Sequence, residues 1–197
     1  EKPLDDDPDV VDELFALAAR RGLVLTEAFM WRHLPQTALL QERVADIGEL
    51  RLVRARFSFP LGREVDPRLD PDLQGGSLMD VGCYCVSAAR LLAGEPESVT
   101  AQRVRGPSGV DLRVAATMRF PGPVLATFDC GFDLPDRHGL EIVGSEGTIE
   151  VDDPWFGRAP GVRVRGEHVA CEPADPYERQ LADLAGAVAD GGAPLVG

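Results

Sequence analysis

Apolar residues in the first stretch of the chain recur at helical spacing: Val10, Val11, Leu14, Leu17 and Ala18. That period predicts a helix with one stripe made for burial. Asp7 is placed to cap it, Pro8 suits its first position, acidic residues fill the positive end of the helix dipole, and Gly22 stops it. Leu23 to Ala28 follows at once as a short, mostly apolar strand. A helix running straight into a buried strand is half of an α/β repeat, in which parallel strands are joined by helical crossovers. Residues 1–28 are therefore expected to be the last helix–strand unit of a parallel-sheet domain that begins before Glu1.

Beyond residue 28 the pattern changes. A helix is expected over 35–45 and a strand over 49–59, with Val53, Ala55, Phe57 and Phe59 on one face. A loop rich in Pro and Asp leads to Gly75-Gly76 and a second helix over 77–92, ended by Gly94. Strands are then expected over 97–105, 110–120, 123–133, 138–144, 147–152 and 161–170, with a turn at Phe120-Pro121-Gly122-Pro123. A last helix over 177–189 spaces Leu181, Leu184 and Val188 for one face. Consecutive strands on short turns, preceded by helices, give an α+β domain over 29–197: an open, mainly antiparallel sheet with helices on one face. The other face is expected to be largely apolar and to need covering, which predicts a homodimer or higher homo-oligomer.

Composition narrows the field. The chain has 197 residues, 44% of them hydrophobic and 27% charged, enough for a real core in one large or two small domains and against disorder. Its formal charge of −13 disfavours binding to nucleic acid. No apolar run approaches the roughly 18–20 residues that span a bilayer, and no basic start precedes an apolar stretch, so a membrane partner is not expected. Cys83, Cys85, Cys130 and Cys171 form no Cys-x-x-Cys pair and the three histidines lie far apart, which suggests neither disulfides nor a metal site. A reducing cytoplasm is the expected setting.

Of the 20 basic residues, 19 are Arg and one is Lys, at position 2. Codon composition accounts for the scarcity, though not for the survivor. Lys2 lies just before the first helix, where a strand of a parallel sheet would end, and ligands of open α/β sheets bind at such ends. The other candidate cluster is Gly75-Gly76-Ser77-Leu78-Met79-Asp80-Val81-Gly82-Cys83-Tyr84. In a helix Asp80 and Tyr84 are four apart and share a face, with Gly82 keeping the surface low for a ligand. A Tyr hydroxyl, whose ordinary pKa is about 10, needs a nearby cation to act as an acid/base at neutral pH, and Lys2 could be that cation. The pattern alone is better served by a half-buried aromatic, Tyr84, beside a satisfied acid, Asp80, at a helix start.

Five ordered matches carry a family resemblance: Glu1-Lys2-Pro3, the run from Glu27-Ala28 to Leu34-Pro35, Asp46-Ile47-Gly48-Glu49, the stretch from Gly75 to Tyr84, and Gly144-Ser145-Glu146-Gly147-Thr148. Together they resemble the Gfo/Idh/MocA oxidoreductases, within them the branch of dihydrodiol dehydrogenase, NADP-dependent xylose dehydrogenase and glucose–fructose oxidoreductase. The resemblance implies a Rossmann domain whose C-terminal remnant is 1–28, then a substrate-binding and oligomerisation domain over 29–197. It implies hydride transfer between NAD or NADP and a sugar or vicinal diol. Lys2, Asp80 and Tyr84 take catalytic roles in it, Glu1, Lys2 and Pro3 lie against the cofactor, and Arg32, Arg68 and Asp80 are candidates for contacting substrate.

The chain contains no Gly-x-Gly-x-x-Gly, and Gly144-Ser145-Glu146-Gly147 reads as a hairpin turn between strands, so no phosphate-cradling loop is expected. Alone, it is expected to bind NAD(P) weakly and to turn nothing over. Two other readings stay open: an NAD-dependent glycoside-cleaving relative on the same scaffold, and a non-catalytic interaction domain.

Overall fold

A computed structural model describes residues 1–62 and 65–196. Strands β1 (Leu50–Ser58), β2 (Ser98–Arg105), β3 (Asp111–Arg119), β4 (Leu125–Gly131), β5 (Arg137–Gly144), β6 (Thr148–Val151), β7 (Val162–Val164) and β8 (Glu167–Val169) build one sheet, ordered β2-β3-β4-β1-β5-β6-β7-β8. All neighbours are antiparallel except β1 and β4, which run parallel with Phe57 beside Cys130. Parallel neighbours need a long crossover. Here the crossover includes a helix and the β2–β3 hairpin, a pairing that local turns do not announce.

The alternation read along β1 holds. Val53, Ala55 and Phe57 are buried, while Arg54 and Arg56 point to the opposite, open face. Helix α2 (Pro35–Arg43) ends earlier than expected and continues as a 3₁₀ stretch over Val44–Ile47. Helix α3 (Cys83–Ala93) covers the inner face and buries Tyr84, Cys85, Ala88 and Ala89. Among the aromatics of this core, Phe57 stacks on Trp155, and Tyr84 meets Phe29, Phe57 and Trp155 edge-on at ring-centroid distances of 5.7, 5.3 and 5.7 Å. Edge-to-face pairs of this kind add to what area burial alone contributes.

Four expectations need correction. Residues 23–28 form no strand: they run extended beside the first residues, with Ala28 N–H donating to the Glu1 carbonyl at 3.0 Å, because no sheet neighbour accepts a ladder there. The single strand expected over 161–170 is a tight hairpin, β7 to β8, turned by Arg165 and Gly166, both with positive φ of 51° and 86°. Two consecutive positive φ values are the signature of a turn that matches strand twist. Helix α4 (Pro176–Asp190) buries Pro176 and Ala187, whereas Leu181 and Val188 are 66% and 64% exposed. Lastly, the open sheet face is not largely apolar. Arg54 pairs with Glu141 and Arg163 with Glu150 across neighbouring strands, and Arg137 reaches over β1 to Asp129, beside a trough of ≈ 770 Å³.

Helix α1 (Pro8–Arg21) forms as its signals predict. Asp7 accepts from the Asp9 N–H, Pro8 opens it and Gly22 closes it in the left-handed region, yet none of its residues is buried. Among the described residues no helix is long and apolar enough to cross a membrane.

Candidate active site

The helix expected over 77–92 is not uniform. Its first turn, Leu78–Gly82, is a π-helix, closed by the Cys83 N–H donating to the Leu78 carbonyl five residues back. A π turn is wider than an α turn and frees backbone carbonyls from the regular ladder. Two of these carbonyls find unusual partners: the Cys83 thiol donates to Met79 at 3.1 Å, and Lys2 Nζ donates to Asp80. Lys2 Nζ also reaches Asp80 Oδ1 at 3.0 Å and lies 4.9 Å from the centroid of the Tyr84 ring. Lys2 thus meets Asp80 and Tyr84 across 78 or more positions of sequence. Lys2 and Asp80 are largely covered, with side chains 12% and 25% exposed. An ammonium has three donors, so one N–H of Lys2 remains beyond its two bonds to Asp80.

Two glycines position the opposite wall. A Cβ on Gly75 would lie 2.6 Å from the Arg68 carbonyl, and the Gly76 N–H donates to that same carbonyl at 2.8 Å. The loop carrying Arg68 is thereby drawn against the start of the helix. Arg68 makes a bidentate pair with Asp66 and approaches Asp80 Oδ2 at 3.7 Å. A cleft of ≈ 330 Å³ opens here, lined by Glu1, Lys2, Pro3, Arg68, Gln74 and Asp80 among others. The larger trough on the open sheet face lies away from all of these groups.

The placement of the expected residues is mixed. Glu1, Lys2, Pro3, Arg68 and Asp80 converge on the cleft. Tyr84 stands behind it, 7% exposed, and its hydroxyl donates to Met30 Sδ at 3.6 Å rather than contacting Lys2, which lies over the ring instead. Burial pushes the Tyr84 phenol well above its ordinary value. Arg32 does not line the cleft. Its guanidinium packs over Trp31 at 5.8 Å, and burial, then the charge of Arg90, lowers its pKa. Gly82 does not clear space for a ligand either: a Cβ there would meet Cys130 Sγ at 2.8 Å, so its role is close packing of the helix on β4. The Cys83 thiol is pushed up to about 12 by burial, which keeps it protonated and unreactive.

Sequence reasoning missed Asp66, which holds Arg68 and is nearly buried, and Met30, which receives the Tyr84 hydroxyl. Asp66-Pro67 at a turn start was the available sign of the first. Nothing in the sequence marked the second.

Residues 38–150 match the family model of the GFO/IDH/MocA C-terminal domain, more than half of the chain. The chain is 35% identical over 206 aligned positions to D-xylose 1-dehydrogenase (NADP(+)) 2 of Haloferax volcanii, covering 100% of the chain and 63% of that protein. It is 33% identical over 172 positions to trans-1,2-dihydrobenzene-1,2-diol dehydrogenase of Sus scrofa, covering 85% and 51%. Aldose-aldose oxidoreductase from Caulobacter crescentus, solved with glycerol, superposes with a TM-score of 0.89 at 25% identity, over 100% of this chain and 63% of that one. A 3-ketoreductase from Actinomadura kijaniata, solved with NADP and TDP-benzene, superposes at 0.88 with 28% identity, over 98% and 63%. The chain thus spans between about half and two-thirds of the length of these relatives. With its mixed, mostly antiparallel open sheet and these matches, the chain belongs to the Gfo/Idh/MocA family of oxidoreductases.

Proposed function

We propose that this chain is the substrate-binding and dimer-forming part of an NAD(P)-dependent dehydrogenase that transfers hydride between nicotinamide and a sugar or vicinal diol. The convergence of Lys2, Asp80 and Tyr84 carries this reading, and relatives named as NADP-dependent xylose and dihydrodiol dehydrogenases support its substrate class. The chain's own residues do not fit a whole dinucleotide. Glu1, Lys2 and Pro3 offer one edge of a cleft, but no Gly-x-Gly-x-x-Gly loop cradles a pyrophosphate. In this reading 1–28 belongs to a nucleotide-binding unit and 29–197 to the substrate domain, and the unburied apolar stripe of α1 suits packing within the former. The isolated chain is therefore inactive.

Each residue has a definite task. Tyr84 exchanges its proton with the carbinol oxygen. A thioether is a weak acceptor, so giving up Met30 for a substrate oxygen costs little. Burial keeps the phenol protonated, so its donation during reduction depends on a cation that favours the phenolate. Lys2 faces the ring as a positive charge that stabilises the phenolate formed on donation, and it orients Asp80. Arg68 and Asp80 together offer donors and an acceptor to substrate hydroxyls.

Homodimerisation is proposed through the open sheet. Its support is not apolarity but the trough on that face, lined by both Arg and Asp/Glu side chains, and strand β2, exposed along its whole length at the sheet edge. Light scattering that finds a monomer contradicts it. For the chemistry, the test is product analysis with the complete protein. Net NAD(P)H formation on an aldose or diol supports dehydrogenation, whereas a cleaved glycoside without net cofactor change overturns it.

A further inference from the structure

The π turn that holds Asp80 against Lys2 has no cap of its own. Ser77 stands at its start in helical conformation and makes no side-chain bond to the turn that follows, although the first N–H groups of a helix need acceptors. The acceptor comes from the sheet. Asp111, the first residue of β3 and 8% exposed, accepts from the Leu78 N–H at 2.8 Å and from the Ser77 hydroxyl at 2.7 Å, both through Oδ2. Its other oxygen lies against Gly76, where a Cβ would stand 2.5 Å away and where φ is 127°. A side chain at position 76 would therefore push Asp111 off the turn.

We propose that Asp111 is a positioning residue of the active site: a cap supplied from the sheet that fixes the π turn so that the Asp80 carbonyl and carboxylate both face Lys2. The path is short and continuous. Asp111 holds Ser77 and Leu78, the turn Leu78–Gly82 carries Asp80, and Asp80 holds Lys2. Ser77 is fully buried beside Cys130, at 3.7 Å between Oγ and Sγ, so removing the Asp111 carboxylate takes the acceptor from a buried hydroxyl and from the Leu78 N–H together. Without that acceptor the widened turn loses the anchor at its start, and a return to regular α-helix would rotate Asp80 away from Lys2. Asp111 touches neither the cleft nor Tyr84 and takes no part in proton transfer.

This inference rests on the dehydrogenase reading for its kinetic consequence but not for its structural one, and the experiment reads both. In the complete protein, Asp111→Ala is expected to lower kcat about tenfold or more with the cofactor KM within about twofold. Asp111→Asn, which keeps an acceptor oxygen, is expected to stay within about threefold of the parent. Hydrogen exchange of the same proteins is expected to show faster exchange at 78–83 in Asp111→Ala alone. Equal losses in the Ala and Asn variants, or Asp111→Ala with parental kcat and parental exchange, would overturn the assignment. Should Asp111→Ala not fold, Ser77→Ala takes its place: faster exchange at 78–83 is again expected, and parental exchange rejects the proposal. A parent protein without dehydrogenase activity defeats the proposed function and leaves the exchange result to decide on Asp111.

Discussion

Helices α1 and α3 carry similar local instructions and meet different fates. Both have an apolar stripe and a glycine stop, and α1 has the better cap, with Asp7 and Pro8 in place. Yet α1 buries nothing, with Val10, Leu14 and Leu17 between 37% and 41% exposed, while α3 buries four residues against β1 and β4. Capping and period decide that a helix forms. Only a neighbour of matching shape decides whether its stripe becomes core. The helix without a local cap is also the one adjoining the chemistry, because the sheet through Asp111 and the N-terminal segment through Lys2 supply what its own sequence lacks.

The sharpest way to break that comparison is to remove the function assigned to α3. Tyr84→Phe in the complete protein keeps the ring that packs against Phe29, Phe57 and Trp155 and deletes only the hydroxyl. A general acid/base contributes about 10² to 10⁴ in rate, so kcat should fall by that order with cofactor binding little changed. Parental kcat would mean that Tyr84 serves α3 as an aromatic wedge and nothing more.

A good deal of this contrast was legible in the sequence. The caps of α1, the inner face of β1 and the Gly75–Tyr84 cluster could each be read from residue type and spacing, because each depends on neighbours within a few positions. What escaped was set by distant contacts. Residues 23–28 are apolar enough for a strand, but a strand exists only beside another. The outward turn of Leu181 and Val188 follows from where α4 meets the 3₁₀ turn Met30–His33. The spacing of Asp80 and Tyr84 suggested a shared helix face, and the π turn between them, invisible to a 3.6-residue period, sends one to the cleft and the other into the core.

Alkali separates the two helices further. Helix α3 carries Cys83, Tyr84 and Cys85, all raised by burial, and Cys130 beneath them is pushed up to about 12. A group whose pKa is raised on folding contributes stability that is complete below its unfolded value and lost as pH rises toward the folded one. Thiols unfold with a pKa of about 8.5, so the window opens near pH 9, and each group costs up to about 1.4 kcal/mol per pH unit within it. Thermal melts of the chain should fall steadily from pH 9 upward, and Cys85→Ala should flatten the slope. An identical slope in that variant would mean that the loss comes from elsewhere.

Packing gives a smaller and more direct contrast. Ala88 on α3 is fully buried, and enlarging it to Leu should cost about 1–3 kcal/mol by overpacking, read as a lower denaturation midpoint of the chain.

The smallest effect is expected on α1, and its size depends on what is tested. Leu14 is 38% exposed and no core residue rests on it. Leu14→Ser should therefore change the stability of the isolated chain by no more than about 0.5 kcal/mol, as exposed substitutions do. If the proposed nucleotide-binding unit covers this stripe, the same substitution in the complete protein leaves a hydroxyl in an apolar contact and should cost about 2 kcal/mol or more. Denaturant titration of both proteins reads the difference. Equal small effects would mean that the stripe of α1 stays in solvent and that a helical period, however well capped, does not by itself identify a buried face. Equal large effects would mean that α1 already packs within this chain, and the contrast with α3 would then lie in chemistry alone.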